Sequence, residues 1–382
     1  MSIPRIMIVA GEASGDLHGA NLAKALKQLS PDASICGMGG TAMAEAGVEI
    51  LYDAARMAVV GLIEVISHFS DIRAARQTLV TELRENRPDL LILIDYPGFN
   101  LMLAEQAKKL GIPIFYYISP QVWAWHASRV KKIRRLVDRM AVILPFEQEF
   151  YRRKGMTVDF VGHPLLDSVS NNTSRSEFLE QNHIPPTATV VGLLPGSRKK
   201  EIANLLPVYL EAARHLAEGH DELVFLLPLA PSLSRADLDA HGLADCMVQV
   251  KVIDSDRYDM MAACDAVIAA SGTVTLELAI LNIPMVVAYR TSPLTCWLAR
   301  KLVDVKYMSL VNLVADREVV PELLQEEVTA ASLADQIAPL LFAPKVIESM
   351  RQGLAEVRER LGGPGASERA ARIALDIIAG QS

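Results

Sequence analysis

Short apolar runs recur along this chain, each cut off by a glycine, serine or acidic residue and followed by a stretch of helical spacing. Ile6–Ala10, Leu90–Ile94, Ile112–Ile118, Ala141–Leu144, Thr189–Leu194, Leu223–Leu229, Val248–Ile253, Ala266–Ala270 and Met285–Tyr289 are runs of this kind. A strand covered on both faces needs no polar alternation, and such a strand followed by a crossover helix is the unit of a parallel sheet. The pattern therefore predicts an α/β fold. The series pauses in a Ser-, Asn- and Thr-rich stretch after His163, with the linker near 165 to 175, and starts again at Thr189. Two parallel-sheet domains are expected, over 1–168 and 169–342. A helical tail over 343–382 is expected to pack on the first domain, crossing back where it is broken at Gly362-Gly363-Pro364-Gly365.

The ends of these runs carry the candidate chemistry, because ligands of open parallel sheets bind outside the C-terminal ends of the strands. Ala266–Ala270 ends in Ser271-Gly272-Thr273, and a helix follows. Unpaired amides and the helix dipole favour an anion there, and Glu277 lies one turn further on, in reach of a ribose diol. The same residues also suit a simple capped helix start. Thr189–Leu194 ends in Pro195-Gly196-Ser197-Arg198, where Arg198 could clamp a phosphate or lie idle on the surface. In the first half, Ile6–Ala10 runs into Gly11-Glu12-Ala13-Ser14-Gly15-Asp16, a glycine turn without the full dinucleotide pattern. Leu90–Ile94 ends in Asp95, before Tyr96-Pro97-Gly98-Phe99-Asn100. A carboxylate held at that edge can take a proton from an incoming nucleophile, or cap the next helix. Trp123 and Trp125 follow the strand Ile112–Ile118 and either pack or shape a pocket for an amphipathic substrate.

Two amphipathic stretches change the picture. Leu62, Val65, Ile66 and Phe69 form one helical stripe, widened by Val59, Val60 and Ile63. This is a core helix or a helix laid on a bilayer, with Leu62, Ile63, Ile66 and Phe69 as the membrane-contact residues. From Arg129 to Met140 the spacing predicts a helix with Val130, Ile133, Val137 and Met140 on one face and Arg129, Lys131, Lys132, Arg134, Arg135 and Arg139 elsewhere. In a chain of net charge −7 such a basic face suits anionic lipid head groups. The acidic balance argues against nucleic acid as a partner.

Composition adds mainly exclusions. The 382 residues exceed one core. The four cysteines are far apart, and the eight histidines show no ligand spacing, so neither a zinc site nor a disulfide framework is expected. Asp254-Ser255-Asp256 is too common a tripeptide to argue for a metal, and no cofactor is expected. No Gly-x-Ser-x-Gly elbow or Walker loop occurs. The chain start lacks the pattern of a signal peptide, and no run reaches the roughly 20 apolar residues of a spanning helix.

Two similar α/β halves with a phosphate-ready turn in the second resemble the GT-B glycosyltransferases, whose Rossmann-like domains face a cleft. The segment from Val252 to Pro284 resembles the donor site of enzymes that use UDP-N-acetylglucosamine, the peptidoglycan N-acetylglucosaminyltransferase and the 2-epimerase among them. An ordered set of motifs is similar to the lipid A disaccharide synthase family over nearly the whole chain. It runs through Gly11–Asp16, Ile94–Asn100, Ser119–Trp125, Leu144–Glu147, Gly162–Pro164, Leu194–Arg198 and Ser309–Leu313. Ala13 and Gly98 depart from the family pattern at positions without a chemical role.

The resemblance implies a metal-independent, inverting transfer from UDP-2,3-diacylglucosamine to 2,3-diacylglucosamine 1-phosphate, giving a β-1,6 disaccharide phosphate and UDP. In this reading Asp95 is the base, with Asp16 or Glu12 as substitutes. Arg198, Ser271, Gly272, Thr273 and Glu277 hold the donor, and by resemblance alone Asn312 and Gln325 lie beside the nucleotide. Gly11, Glu12, Ser14, Asp16, Trp123 and Trp125 line the acceptor side. The acyl chains place the protein at the cytoplasmic face of the inner membrane as a peripheral protein. An isomerase of the 2-epimerase type and a non-catalytic UDP-sugar sensor are the alternatives. A homodimer is compatible with the sequence, which sets no oligomeric state.

Overall fold

A computed structural model describes residues 3–57, 69–124, 128–254, 256–291 and 306–380. The chain forms two units, Met1–Asp167 with Gly362–Ser382, and Ser168–Leu361. In the first, seven parallel strands lie in the order β3-β2-β1-β4-β5-β6-β7. They are β1 (Arg5–Ala10), β2 (Ser34–Gly39), β3 (Glu49–Asp53), β4 (Leu90–Ile94), β5 (Ile114–Tyr117), β6 (Arg139–Val142) and β7 (Asp159–Phe160). In the second, six parallel strands lie in the order β10-β9-β8-β11-β12-β13. They are β8 (Thr189–Leu194), β9 (Leu223–Pro228), β10 (Val250–Ile253), β11 (Ala266–Ala270), β12 (Met285–Tyr289) and β13 (Glu322–Leu324).

The continuous apolar runs are the central strands, as their composition predicts. Every residue of β4 is fully buried, and so are Ile6–Ala10 of β1. Each such Ile or Leu contributes roughly 1.5–3 kcal/mol by leaving water. One face of the first sheet is covered by helices Phe69–Glu85, Pro97–Lys109 and Arg129–Leu136, whose Ala75, Leu79, Leu103 and Ile133 join the core. The other face takes helix Ala13–Leu29 and helix Ala366–Ala379, which pack on each other.

The order of each sheet matters for function. Both begin at an interior strand, build outward to one side, then return to the other side of the starting strand. The chain thus reverses direction between β1 and β4, paired Ala10 to Ile94, and between β8 and β11, paired Leu194 to Ala269. At such a switch point the two following loops part, leaving a crevice at the strand ends.

Two expectations are corrected here. Helix Pro344–Arg360 packs on Val274–Ile280 and Leu310–Ala315 within the second unit, so the return to the first begins at Gly362 and brings a single helix, Ala366–Ala379. The basic helix ends at Leu136: Val137 is extended, and Met140 is an interior residue of β6. Leu62, Ile63 and Ile66 lie outside the described residues, as does Trp125. Phe69 begins helix Phe69–Glu85, but its side chain is not among the described ones.

Candidate functional site

The loops after β1 and β4 flank the first switch point. Helix Ala13–Leu29 starts directly after Gly11-Glu12, with Glu12 at the cap position; Glu12 and Ser14 are exposed. Gly11 is required by packing, because the Tyr96 ring lies where its Cβ would stand. Asp16 has turned away from the crevice. Its carboxylate accepts the amides of Gly40 (2.7 Å), Ala42 (3.0 Å) and Met43 (3.1 Å), capping helix Thr41–Glu45. All three bonds tie the carboxylate into its own unit.

Asp95 stands at the end of β4, partly buried, in a left-handed backbone conformation (φ 42) shared by Tyr96 (φ 45). Burial pushes its carboxyl up to about 6, the charge of Glu12 adds to the rise, and a hydrogen bond from the Tyr96 backbone opposes it. A carboxylate of this basicity is ionised at neutral pH yet takes up a proton more readily than a solvated one. Neighbouring loop ends add a buried group that the sequence reading did not single out. Glu147, in the first turn of helix Pro145–Arg153, accepts the amides of Ile143 (3.3 Å) and Leu144 (3.0 Å). Burial pushes it up to about 7 against those amides and the nearby Ser119 hydroxyl and Trp123 indole. Trp123 is half-buried and meets Phe146 edge-on at 5.0 Å. A glutamate at the third helical position is a capping-box signature, so Leu144-Pro145-Phe146-Glu147 could have revealed this role. His163 is buried and His18 half-buried; desolvation lowers them to about 3 and about 4, so both are neutral in the folded protein.

The second switch point lies between the loops after β8 and β11. Gly196 has φ +114, a region that favours glycine, and a side chain there would collide with Glu201. The Glu201 carboxylate takes the amides of Ser197 (2.9 Å) and Arg198 (3.2 Å) at the start of helix Lys199–Ala217. The Arg198 guanidinium is 69% exposed and, among the described residues, is held only by a 3.3 Å contact to Glu201. After β11, Ser271 is anchored by its amide to the Ala288 carbonyl and by its hydroxyl to the Met308 carbonyl (both 3.0 Å). Gly272 and Thr273 are exposed, their amides have no partner among the described residues, and the space over Gly272 is open.

Glu277 is buried. Its Oε1 accepts from Arg257 (2.7 Å) and Tyr258 (3.3 Å), and burial raises its carboxyl against the pull of those two groups. Arg257 was missed in the sequence because no local pattern ties it to a residue twenty positions on. Asn312 is fully buried, and its carboxamide is used within the fold. It donates to the Val320 carbonyl (2.9 Å) and Glu322 (2.7 Å) and accepts the amides of Val319 and Val320. Glu322 in turn accepts the amides of Met308 (2.7 Å) and Ser309 (3.0 Å). Asn312 therefore braces the loop that anchors Ser271. Gln325, left-handed at φ 53, accepts the Thr291 amide (3.3 Å) through its side chain. Asp256 of the acidic tripeptide caps helix Arg257–Ala263, taking the Tyr258 amide at 2.8 Å.

Two Rossmann-like units in one chain, each with a switch point beside its first strand, define the GT-B class of glycosyltransferase folds. The same fold is seen in a Staphylococcus aureus MnaA–UDP co-structure (TM-score 0.68, 14% identical, covering 99% of this chain and 98% of that one). It is seen again in a putative UDP-N-acetylglucosamine 2-epimerase from Listeria monocytogenes (TM-score 0.66, 12% identical, covering 100% and 97%). At these identities the likeness speaks for the fold alone. The chain belongs to the lipid-A-disaccharide synthetase family, whose profile matches residues 6–377. The lipid-A-disaccharide synthase of Geobacter metallireducens is 52% identical over 374 residues, covering 98% of this chain and 97% of that protein. That of Nitrosococcus oceani is 45% identical over 381 residues, covering 100% and 98%.

Proposed function

We propose that this protein joins UDP-2,3-diacylglucosamine to 2,3-diacylglucosamine 1-phosphate, releasing UDP and a β-1,6-linked disaccharide 1-phosphate. The observation that carries this reading is the family match along essentially the whole chain, residues 6–377. The epimerase alternative rests on likeness of fold only.

In this mechanism the Asp95 carboxylate takes the proton from the acceptor's 6-hydroxyl as that oxygen attacks the anomeric carbon, and the C–O bond to UDP breaks on the opposite face. A base with a carboxyl raised to about 6 suits the task at neutral pH. The departing diphosphate is received by the free amides of Gly272 and Thr273, with Arg198 swinging over to neutralise it. Glu277 offers Oε2 to the ribose diol while Arg257 and Tyr258 hold Oε1. Asn312 and Glu322 act indirectly, through Met308 and Ser271. Glu12, Ser14 and Trp123 serve the acceptor side in this reading.

Among the described residues no helix is long and apolar enough to cross a membrane. The exposed Arg129, Lys131, Arg134 and Arg135 of helix Arg129–Leu136 support peripheral attachment to anionic lipid at the cytoplasmic face. Incubating the purified protein with UDP-2,3-diacylglucosamine, with and without the monosaccharide phosphate, tests the reaction. UDP and disaccharide phosphate are expected only when both substrates are present. Conversion of the donor alone would point to an isomerase, and binding with no turnover in either mixture to a sensor.

A further inference from the structure

The backbone at the end of β4 holds a conformation its residues resist. Asp95 (φ 42) and Tyr96 (φ 45, ψ 56) are successive non-glycine residues in the left-handed region, and Ile118, just past β5, adds a third at φ 64. Residues with a Cβ avoid this region, β-branched ones above all, and they persist there only where the surroundings over-determine them. Here the surroundings converge on one atom. The Asp95 carbonyl accepts from the Tyr116 hydroxyl (2.5 Å) and from the Asn100 carboxamide (2.7 Å). The same carboxamide also donates to the Ile94 carbonyl (3.0 Å), and the Asp95 amide donates to the Ile118 carbonyl (3.3 Å).

Tyr116 and Asn100 are both fully buried, out of reach of any substrate. Asn100 Oδ1 has no hydrogen-bond partner among the described residues, and the carboxamide serves there as a double donor. Burial and the nearby Asp95 charge push the Tyr116 phenol far above its ordinary range, which keeps its proton available for the bond. The carbonyl and the carboxylate of Asp95 are joined through a single Cα. Freeing the carbonyl lets the turn relax and swings the carboxylate with it.

We infer that Tyr116 and Asn100 are positioning residues for the transfer reaction: by clasping the Asp95 carbonyl they hold the left-handed turn that aims the Asp95 carboxylate. This rests on the reading of Asp95 as the base. A displacement of about 1 Å at a reacting group is enough to cost on the order of 100-fold in rate, so the clasp acts on the chemical step and leaves donor binding alone.

Tyr116→Phe keeps the ring and removes one donor; Asn100→Ser removes the double donation. Each is assayed well below its own melting temperature, beside Asp95→Asn. In both variants kcat should fall roughly 10- to 100-fold while the donor KM stays within about twofold. The acidic limb of the kcat/KM profile, set by a group at about 6, should move towards the ordinary carboxylate range as the loosened Asp95 meets water. An inactive Asp95→Asn beside folded Tyr116→Phe and Asn100→Ser variants with unchanged kcat and acidic limb would overturn the clasp and leave the base standing. Normal turnover in Asp95→Asn would remove the base itself. Parallel losses of kcat and donor affinity that track a lowered melting temperature would reduce the pair to ordinary core bonds, and that also overturns the inference.

Discussion

The turn after β4 and the turn after β11 stand at corresponding places in their sheets, beside the strand that begins each unit, yet they are built in opposite ways. The first is closed and strained. Its carboxylate is partly buried, its backbone is left-handed at two non-glycine residues, and Tyr96 fills the space over Gly11. The second is open and relaxed: Gly272 and Thr273 are exposed, nothing stands over Gly272, and the polar support is set back at Glu277 and in the loop braced by Asn312. A group that moves a proton needs a fixed direction and a dry setting, which confinement supplies. A cradle for a diphosphate needs free amides and room, which confinement would remove. In the proposed reading, one sheet plan thus yields two kinds of site by the handling of a single turn.

The largest test of this contrast is Asp95→Asn. Turnover should fall roughly 100- to 10,000-fold in steady-state assays with little change in donor KM, and the wild-type rate should itself decline as pH drops below about 6. The same substitution should stabilise the fold at pH 8. Because the carboxyl is raised in the folded state, the wild type holds its proton more tightly folded than unfolded. Its stability therefore falls as pH rises from about 4 towards about 6 and stays lower above that. Asn lacks that penalty, so denaturant melts should show a gain on the order of 2 kcal/mol at pH 8 that vanishes near pH 4.

On the open side, Glu277→Ala should weaken UDP binding by roughly 1–3 kcal/mol in calorimetric titration, with the chemical step less affected. Turnover lost without any loss of UDP affinity would break the division of labour between the two turns. The smallest and most direct comparison is between two glycines. Gly11→Ala pushes against a ring that its own backbone holds in place, and should cost about 1–3 kcal/mol of stability in thermal melts. Gly272→Ala enters open space and should stay within about 0.5 kcal/mol. Equal costs at the two positions would mean the turns differ less than their geometry says.

The sheets were legible in the sequence because parallel strands buried on both faces must be almost wholly apolar, and Leu90–Ile94 or Ala266–Ala270 can be little else. The place of Asp95 at the end of β4 was legible as the first charge after such a run. The end of the basic helix was not: Val137 and Met140 continue the helical stripe in register, and only the pairing of β6 with β5 shows that the chain has already straightened. Asp16 was read as a crevice residue because its cap partners lie 24 to 27 positions away. Asn312 entered through resemblance, and its clasp on Val319, Val320 and Glu322 is a closed loop that no local pattern announces. The left-handed pair at Asp95 and Tyr96 carries no glycine or asparagine to betray it; Tyr116 and Asn100 enforce it from outside.

The return of the chain at Gly362 bears on how the protein folds. The second unit is one unbroken stretch of chain, Ser168–Leu361. The first takes from beyond that stretch the helix whose Ala370, Ala371 and Ala374 complete its core. The half that carries the proposed proton acceptor therefore cannot complete its core until helix Ala366–Ala379 has docked, and an alanine-lined seam left open before that is a surface for which a chaperone would compete.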